Sequence, residues 1–159
     1  MIEISEHISW KEATKSQTAV RHGIKNEPRD IDTVFNMQAV ARQVFERVRE
    51  YFGNKPIAVT SFYRGPEVNH LVGGSWKSQH LKGEALDIDA DVFAFPGITN
   101  QSIFEYIRNH LTFDQLISEY PDEKGNPSWV HVSFKREGTN RMEVLVAKKV
   151  FGRTQYSRL

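Results

Sequence analysis

The sequence predicts an α+β domain in which a mainly antiparallel sheet packs against helices. Three observations point there. Helical periodicity dominates the first third of the chain, strand-like runs gather later, and no regular alternation of strand and helix marks a parallel array. At 159 residues the chain is long enough to bury a core without staples and short enough to form one domain over 1–159.

The elements follow in order. Ser9 followed by Glu12 has capping-box spacing, which predicts a short helix from about Trp10 with Gly23 as its stop. From Ile31 to Phe52, the residues Val34, Met37, Val40, Ala41, Val44, Val48 and Tyr51 recur at intervals of three and four. Arg42, Glu46, Arg49 and Glu50 fill the other face and Gly53 follows, so this is an amphipathic helix lying on a core. The period then switches. Ile57 to Phe62 reads as a strand, broken at Arg64-Gly65-Pro66, with a short helix after Pro66. Gly73-Gly74-Ser75 is a loop, Ala85 to Ala90 a second strand, and Asn100 to Leu111 a helix capped by Thr99 or Asn100. Asp114 to Glu119 is a third strand and Tyr120 to Pro127 a loop. Trp129 to Phe134 and Met142 to Ala147 read as two more strands joined by a turn around Gly138 and Asn140. Lys148, Lys149, Arg153 and Arg158 crowd the final stretch, which reads as a solvated tail.

Composition narrows the function. A net charge of +1 and no basic stripe with interleaved aromatics speak against nucleic acid. The chain has no cysteine, so disulfides, thiolate ligands and a cysteine nucleophile are excluded, and any metal must rest on histidine and carboxylate. No run approaches the ~20 apolar residues of a membrane span, and the N-terminus is too polar for a secretory signal. A soluble monomer carrying no export address is expected.

Side chains alternate along a strand. In Ala85-Leu86-Asp87-Ile88-Asp89 the apolar Leu86 and Ile88 share one face, leaving Asp87 on the other. In Trp129-Val130-His131-Val132-Ser133 the same logic sets His131 opposite the valines. If the strands are neighbours, Asp87 and His131 converge. His80 precedes Asp87 by seven positions, with Gly83 between them to let the backbone turn back over the same point. Two histidines and a carboxylate with a fourth position open to water form a catalytic zinc arrangement on the sheet face.

"SFYRGPEVNHLVGGSWKSQHLKGEALDI" and, about forty residues later, "SWVHVSF" resemble the M15 family of zinc peptidases. These are the D-Ala-D-Ala carboxypeptidases and endolysin-like enzymes of phage and bacteria that cut peptidoglycan stem peptides. The resemblance begins at "TKSQTAVRHGIKNEP" and runs through His131. It implies Zn2+ ligands at His80, Asp87 and His131, and a substrate-contacting role beside the metal for Arg64. A permanently charged guanidinium suits that role, because it can hold an oxyanion or grip a carboxylate with two prongs. Ser78 and Gln79 match the lead-in to the motif, as residues that orient the loop or touch substrate. Asp89 is a candidate to hydrogen-bond a ligand histidine, and Trp76 and Trp129 flank the two halves of the motif as candidate cleft walls.

One position departs from the family pattern. Where many members carry a glutamate three residues before the second ligand histidine, this chain has Ser128, which cannot act as a carboxylate base. Glu119, sharing a face with Gln115 and Ile117, is the replacement candidate if its strand flanks that of His131. The resemblance thus implies a zinc peptidase acting on peptidoglycan peptide, as carboxypeptidase or endopeptidase. A catalytically inactive, metal-bearing wall-binding module is the alternative that Ser128 raises. A wall hydrolase lacking a signal suits release in the manner of a phage or prophage lysin.

Overall fold

The computed structural model describes residues 2–159. Its architecture is α+β, with a six-stranded, mostly antiparallel sheet in the order β1-β2-β4-β3-β5-β6. The strands are β1 (Ala58–Ser61), β2 (Ala85–Asp89), β3 (Gln115–Glu119), β4 (Trp129–Ser133), β5 (Glu143–Val150) and β6 (Arg153–Arg158). One neighbour pair, β3 with β5, is parallel.

The helices lead, as the periodicity implies. α1 (Trp10–Ala13) starts at Ser9 with the expected capping box. It does not continue to Gly23, because Ser16 accepts the amide of Ala19 and opens a separate α2 (Gln17–His22), which ends at the left-handed Gly23. The long amphipathic segment is α3 (Ile31–Val40) and α4 (Glu46–Tyr51), joined by a π turn at Ala41–Phe45. Wider winding in the π turn rotates the face that follows. Arg49, read as polar-face, is therefore buried, while Tyr51 is exposed and stacks on Tyr106 at 4.0 Å. α5 (Pro66–Leu71) begins on its proline, and α6 (Asn100–His110) carries a Thr99 cap.

One face of the sheet is the core face. Leu86, Ile88, Leu116, Val130 and Val132 are fully buried there against Met37, Val40, Val44, Phe45, Ile103 and Ile107 of the helices. Each such side chain contributes about 1.5–3 kcal/mol on leaving water. Alternation then forces Asp87, His131, Ile117 and Glu119 onto the opposite face.

The C-terminal stretch differs from the solvated tail expected of it. Lys148, Lys149, Arg153 and Arg158 belong to an antiparallel hairpin, β5 and β6, turning at Phe151-Gly152. Nor does β5 return beside β4, since its partner is β3.

Candidate functional site

Two adjacent strands place the first two groups. Asp87 and His131 are directly opposed in the antiparallel ladder of β2 and β4, so their side chains leave the sheet on the same side. The third arrives from a 3-10 turn at Gln79–Lys82, where His80 is 2% exposed. That turn is closed by Gly83 at φ +69°, and a Cβ there would lie 2.6 Å from Met37 Cγ and 2.7 Å from the Thr33 carbonyl oxygen. Only glycine supplies both the left-handed backbone and the room against α3.

The resulting geometry is compact. His80 Nε2 lies 3.4 Å from Asp87 Oδ1, and His131 Nδ1 lies 3.0 Å from the same oxygen. The Nδ1–H of His80 donates to the Phe62 carbonyl at 2.6 Å, which fixes the tautomer and aims Nε2 at the carboxylate. All three donor atoms fall within 4.8 Å of one another. Tetrahedral bonds of about 2.0–2.1 Å separate donors by roughly 3.3 Å, so the set fits a small four-coordinate cation, and imidazole with carboxylate suits a divalent transition metal. Burial would raise the pKa of Asp87. The charge of His80 and the hydrogen bonds of His131 and His80 outweigh it and hold the group well below the usual carboxylate range.

Two further groups flank this cluster. Arg64 is tied to the motif turn by its amide, which donates to the His80 carbonyl at 3.2 Å. Its buried Nε has no hydrogen-bond partner, and among the described residues its guanidinium forms no ion pair. Burial lowers its pKa, against the pull of Asp87. On the other side, β3 does flank β4, with Ile117 opposite His131 and Glu119 opposite Trp129. Glu119 is only 7% exposed. Burial pushes its pKa up to about 7, with His131 pulling down and Asp87 pushing up. A carboxyl poised near neutrality beside a metal-capable cluster has the acidity of a proton carrier.

The other sequence-picked residues have mixed placements. Ser78 Oγ accepts the His80 amide at 3.3 Å and so shapes the motif turn. The Gln79 side-chain amide is committed to Glu84 at 3.2 Å and to Asp114 at 3.1 Å, anchoring the turn to buried Asp114, which also pairs with the exposed Arg141. Trp129 is on the site face, half-buried against Tyr120. Asp89 has no histidine partner: its Oδ1 accepts from the Asp91 amide and from Asn100 Nδ2, because it sits at the strand end above α6. Ser128 Oγ donates to the Tyr120 carbonyl and closes the β3–β4 loop. Trp76 is 80% exposed and lines a cleft of about 480 Å³ with Tyr63, His70 and Leu81, which includes none of the three donors.

Two contributors escape the sequence. The Phe62 carbonyl that orients His80 is backbone and carries no residue signature. Tyr156 of β6 also reaches the site face, through a strand whose residues show no apolar alternation.

A family model described as Peptidase M15 matches residues 6–133 of the chain. No curated protein matches it.

Proposed function

We propose, from the premise that this chain belongs to the Peptidase M15 family, that it is a zinc-dependent hydrolase of peptide bonds in the peptidoglycan stem. The observation that carries the reading is one face of one sheet holding three metal donors within 4.8 Å, with a partnerless guanidinium and a near-neutral carboxyl on either side. His80, Asp87 and His131 are the ligands. When bound, zinc supplies Lewis-acid polarisation of the scissile carbonyl and acidifies a water toward a pKa of about 7.

The chain's own residues do the rest. Glu119 takes the proton from the attacking water and returns it to the departing amine. Its desolvated position beside His131 keeps its affinity for that proton close to the operating pH. Arg64 binds the oxygen that becomes negative, or a terminal carboxylate, through a guanidinium whose Nε has no partner among the described residues. Ser78 and Gln79 hold the turn that carries His80, and Trp129 walls the cleft.

The test is hydrolysis of purified peptidoglycan followed by mass spectrometry of the released muropeptides. Chelation abolishes cleavage and zinc restores it, and the product mass distinguishes loss of a terminal residue from cleavage within the stem. Undiminished hydrolysis by rigorously metal-free protein would refute the assignment.

A further inference from the structure

The match to known peptidases ends at residue 133, before β5 and β6, yet the hairpin extends the very sheet that bears the site. Cross-strand register shows where it leads. Trp129 of β4 lies opposite Glu119 of β3, Glu119 beside Ala147 of β5, and Ala147 opposite Tyr156 of β6. These four side chains form one row on one face.

Ala147 is the small member of that row. It is fully buried but stands outside the apolar cluster under the helices, as expected of a residue covered from the site side. Glu119 and Tyr156 are two strand spacings apart, roughly 10 Å between backbones, with only a methyl group between them. That gap is within the combined reach of a glutamate and a tyrosine.

We propose that the Tyr156 hydroxyl donates a hydrogen bond to an acceptor oxygen of the bound peptide, on the Glu119 side of the metal donors and opposite Arg64. The inference rests on the peptidase reading above. Across the sheet the order becomes Arg64, Asp87, His131, Glu119, Tyr156, a line of polar groups along which a peptide can lie.

Two features fit a ligand contact better than a packing role. Tyr156 is 57% exposed and its hydroxyl has no partner among the described residues, whereas the hydroxyl of nearby Tyr120 is bonded to Thr154 at 2.5 Å. Burial, and then the charges of Glu119, Tyr120 and Asp87, raise the Tyr156 pKa, so the group stays a donor across the working pH range.

The test compares wild type with Tyr156→Phe, which removes one oxygen and keeps the ring. Steady-state cleavage of a stem peptide is measured alongside calorimetric binding of the same peptide to zinc-loaded protein in the Glu119→Gln background, with zinc content and urea midpoint determined for each. The expected result is a loss of about 3- to 10-fold in kcat/KM and in peptide affinity, the scale of one neutral hydrogen bond, at unchanged zinc content and midpoint. Equal values for Tyr156→Phe and wild type in both measurements overturn the role of Tyr156 while leaving the peptidase reading intact. A wild type that binds peptide without cutting it overturns the peptidase reading, and the binding comparison then still decides Tyr156. A wild type that neither cuts nor binds overturns both.

Discussion

Replacing Gly83 with alanine probes the joint between the fold and the metal donors. Two costs add. An alanine held at φ +69° loses roughly 1–2 kcal/mol to left-handed strain. Its Cβ would also meet Met37 Cγ at 2.6 Å, the Thr33 carbonyl at 2.7 Å and Thr33 Cγ2 at 3.1 Å. The methionine can swing away, but the carbonyl belongs to α3 and holds its place, so overpacking adds about 1–3 kcal/mol. The total of about 2–5 kcal/mol is a large share of the 5–15 kcal/mol that a domain has in hand. Gly138 supplies the control, since it has φ +85° and nothing within 4 Å of an added Cβ. Gly138→Ala therefore carries the strain alone. In urea unfolding, with a slope near 2 kcal/mol/M, Gly83→Ala lowers the midpoint by roughly 1–2.5 M and exceeds Gly138→Ala by about 0.5–1.5 M. The Gly83 amide also donates to the His80 carbonyl at 3.3 Å. The displaced turn therefore carries His80 with it, and on the zinc reading proposed above the affinity for zinc falls about 10- to 100-fold. Equal midpoints for the two variants would show that close approach to α3 is not what demands glycine.

Two other perturbations have signs that can be worked out. In its proposed role as base Glu119 must be ionised to accept a proton, so activity is expected to rise with pH through its pKa. That limb lies at or below about 7, because a bound cation draws a carboxyl down from the metal-free value. Glu119→Gln removes the limb and costs about 10²–10⁴ in kcat; a variant retaining full kcat would dismiss Glu119 as the base. In metal-free protein, a carboxyl raised from 4.5 to about 7 binds its proton more tightly when folded, so its contribution worsens as pH rises from 4.5 to 7 and is constant above. Wild type should therefore lose stability relative to Glu119→Gln across that window, and a flat difference refutes the burial argument. Arg141→Ala strips the buried Asp114 of side-chain bonds at 2.8, 3.1 and 3.2 Å. This costs about 2–3 kcal/mol at neutral pH by chemical denaturation. Burial raises the Asp114 pKa, but the Arg141 hydrogen bonds outweigh it and hold the group below 3.8. The stabilisation is thus lost as pH falls through the depressed value, and the gap between variant and wild type closes in acid. A gap independent of pH would exclude the ion pair as its source.

Residues whose neighbours are near in sequence announced their structure. Ser9 and Glu12 close a cap, the 3.6-residue stripe of Val34 to Val48 marks a buried helix, and alternation around Asp87 and His131 assigns each to a face. Partnerships set at long range left fainter traces. Arg153 to Arg158 form an edge strand that is exposed except at Thr154, so no apolar pattern marks it, and a cluster of charges there looks like tail. The parallel seating of β5 against β3 depends on which edge is free once β4 has paired on its other side with β2. The π turn at Ala41–Phe45 inverted the expected places of Arg49 and Tyr51 by rotating one turn of helix. At the site, Asp87, His131 and Glu119 could be named because strand parity determines where they project, whereas His80, on a 3-10 turn, was traced through the glycine that lets the backbone turn back. Asp89 shares their parity but is captured by Asn100, a tertiary contact that parity does not encode.

The Asp87 and His131 donors come from positions 44 apart in the chain. An ion that such a site grips together with His80 binds only the folded chain, because the unfolded chain rarely brings those distant donors together, and it stabilises that state by mass action. At a thousandfold excess over its dissociation constant it adds about 4 kcal/mol to the folded state. If zinc is that ion, as proposed above, endurance against heat and proteases becomes a function of how much free metal the surroundings hold.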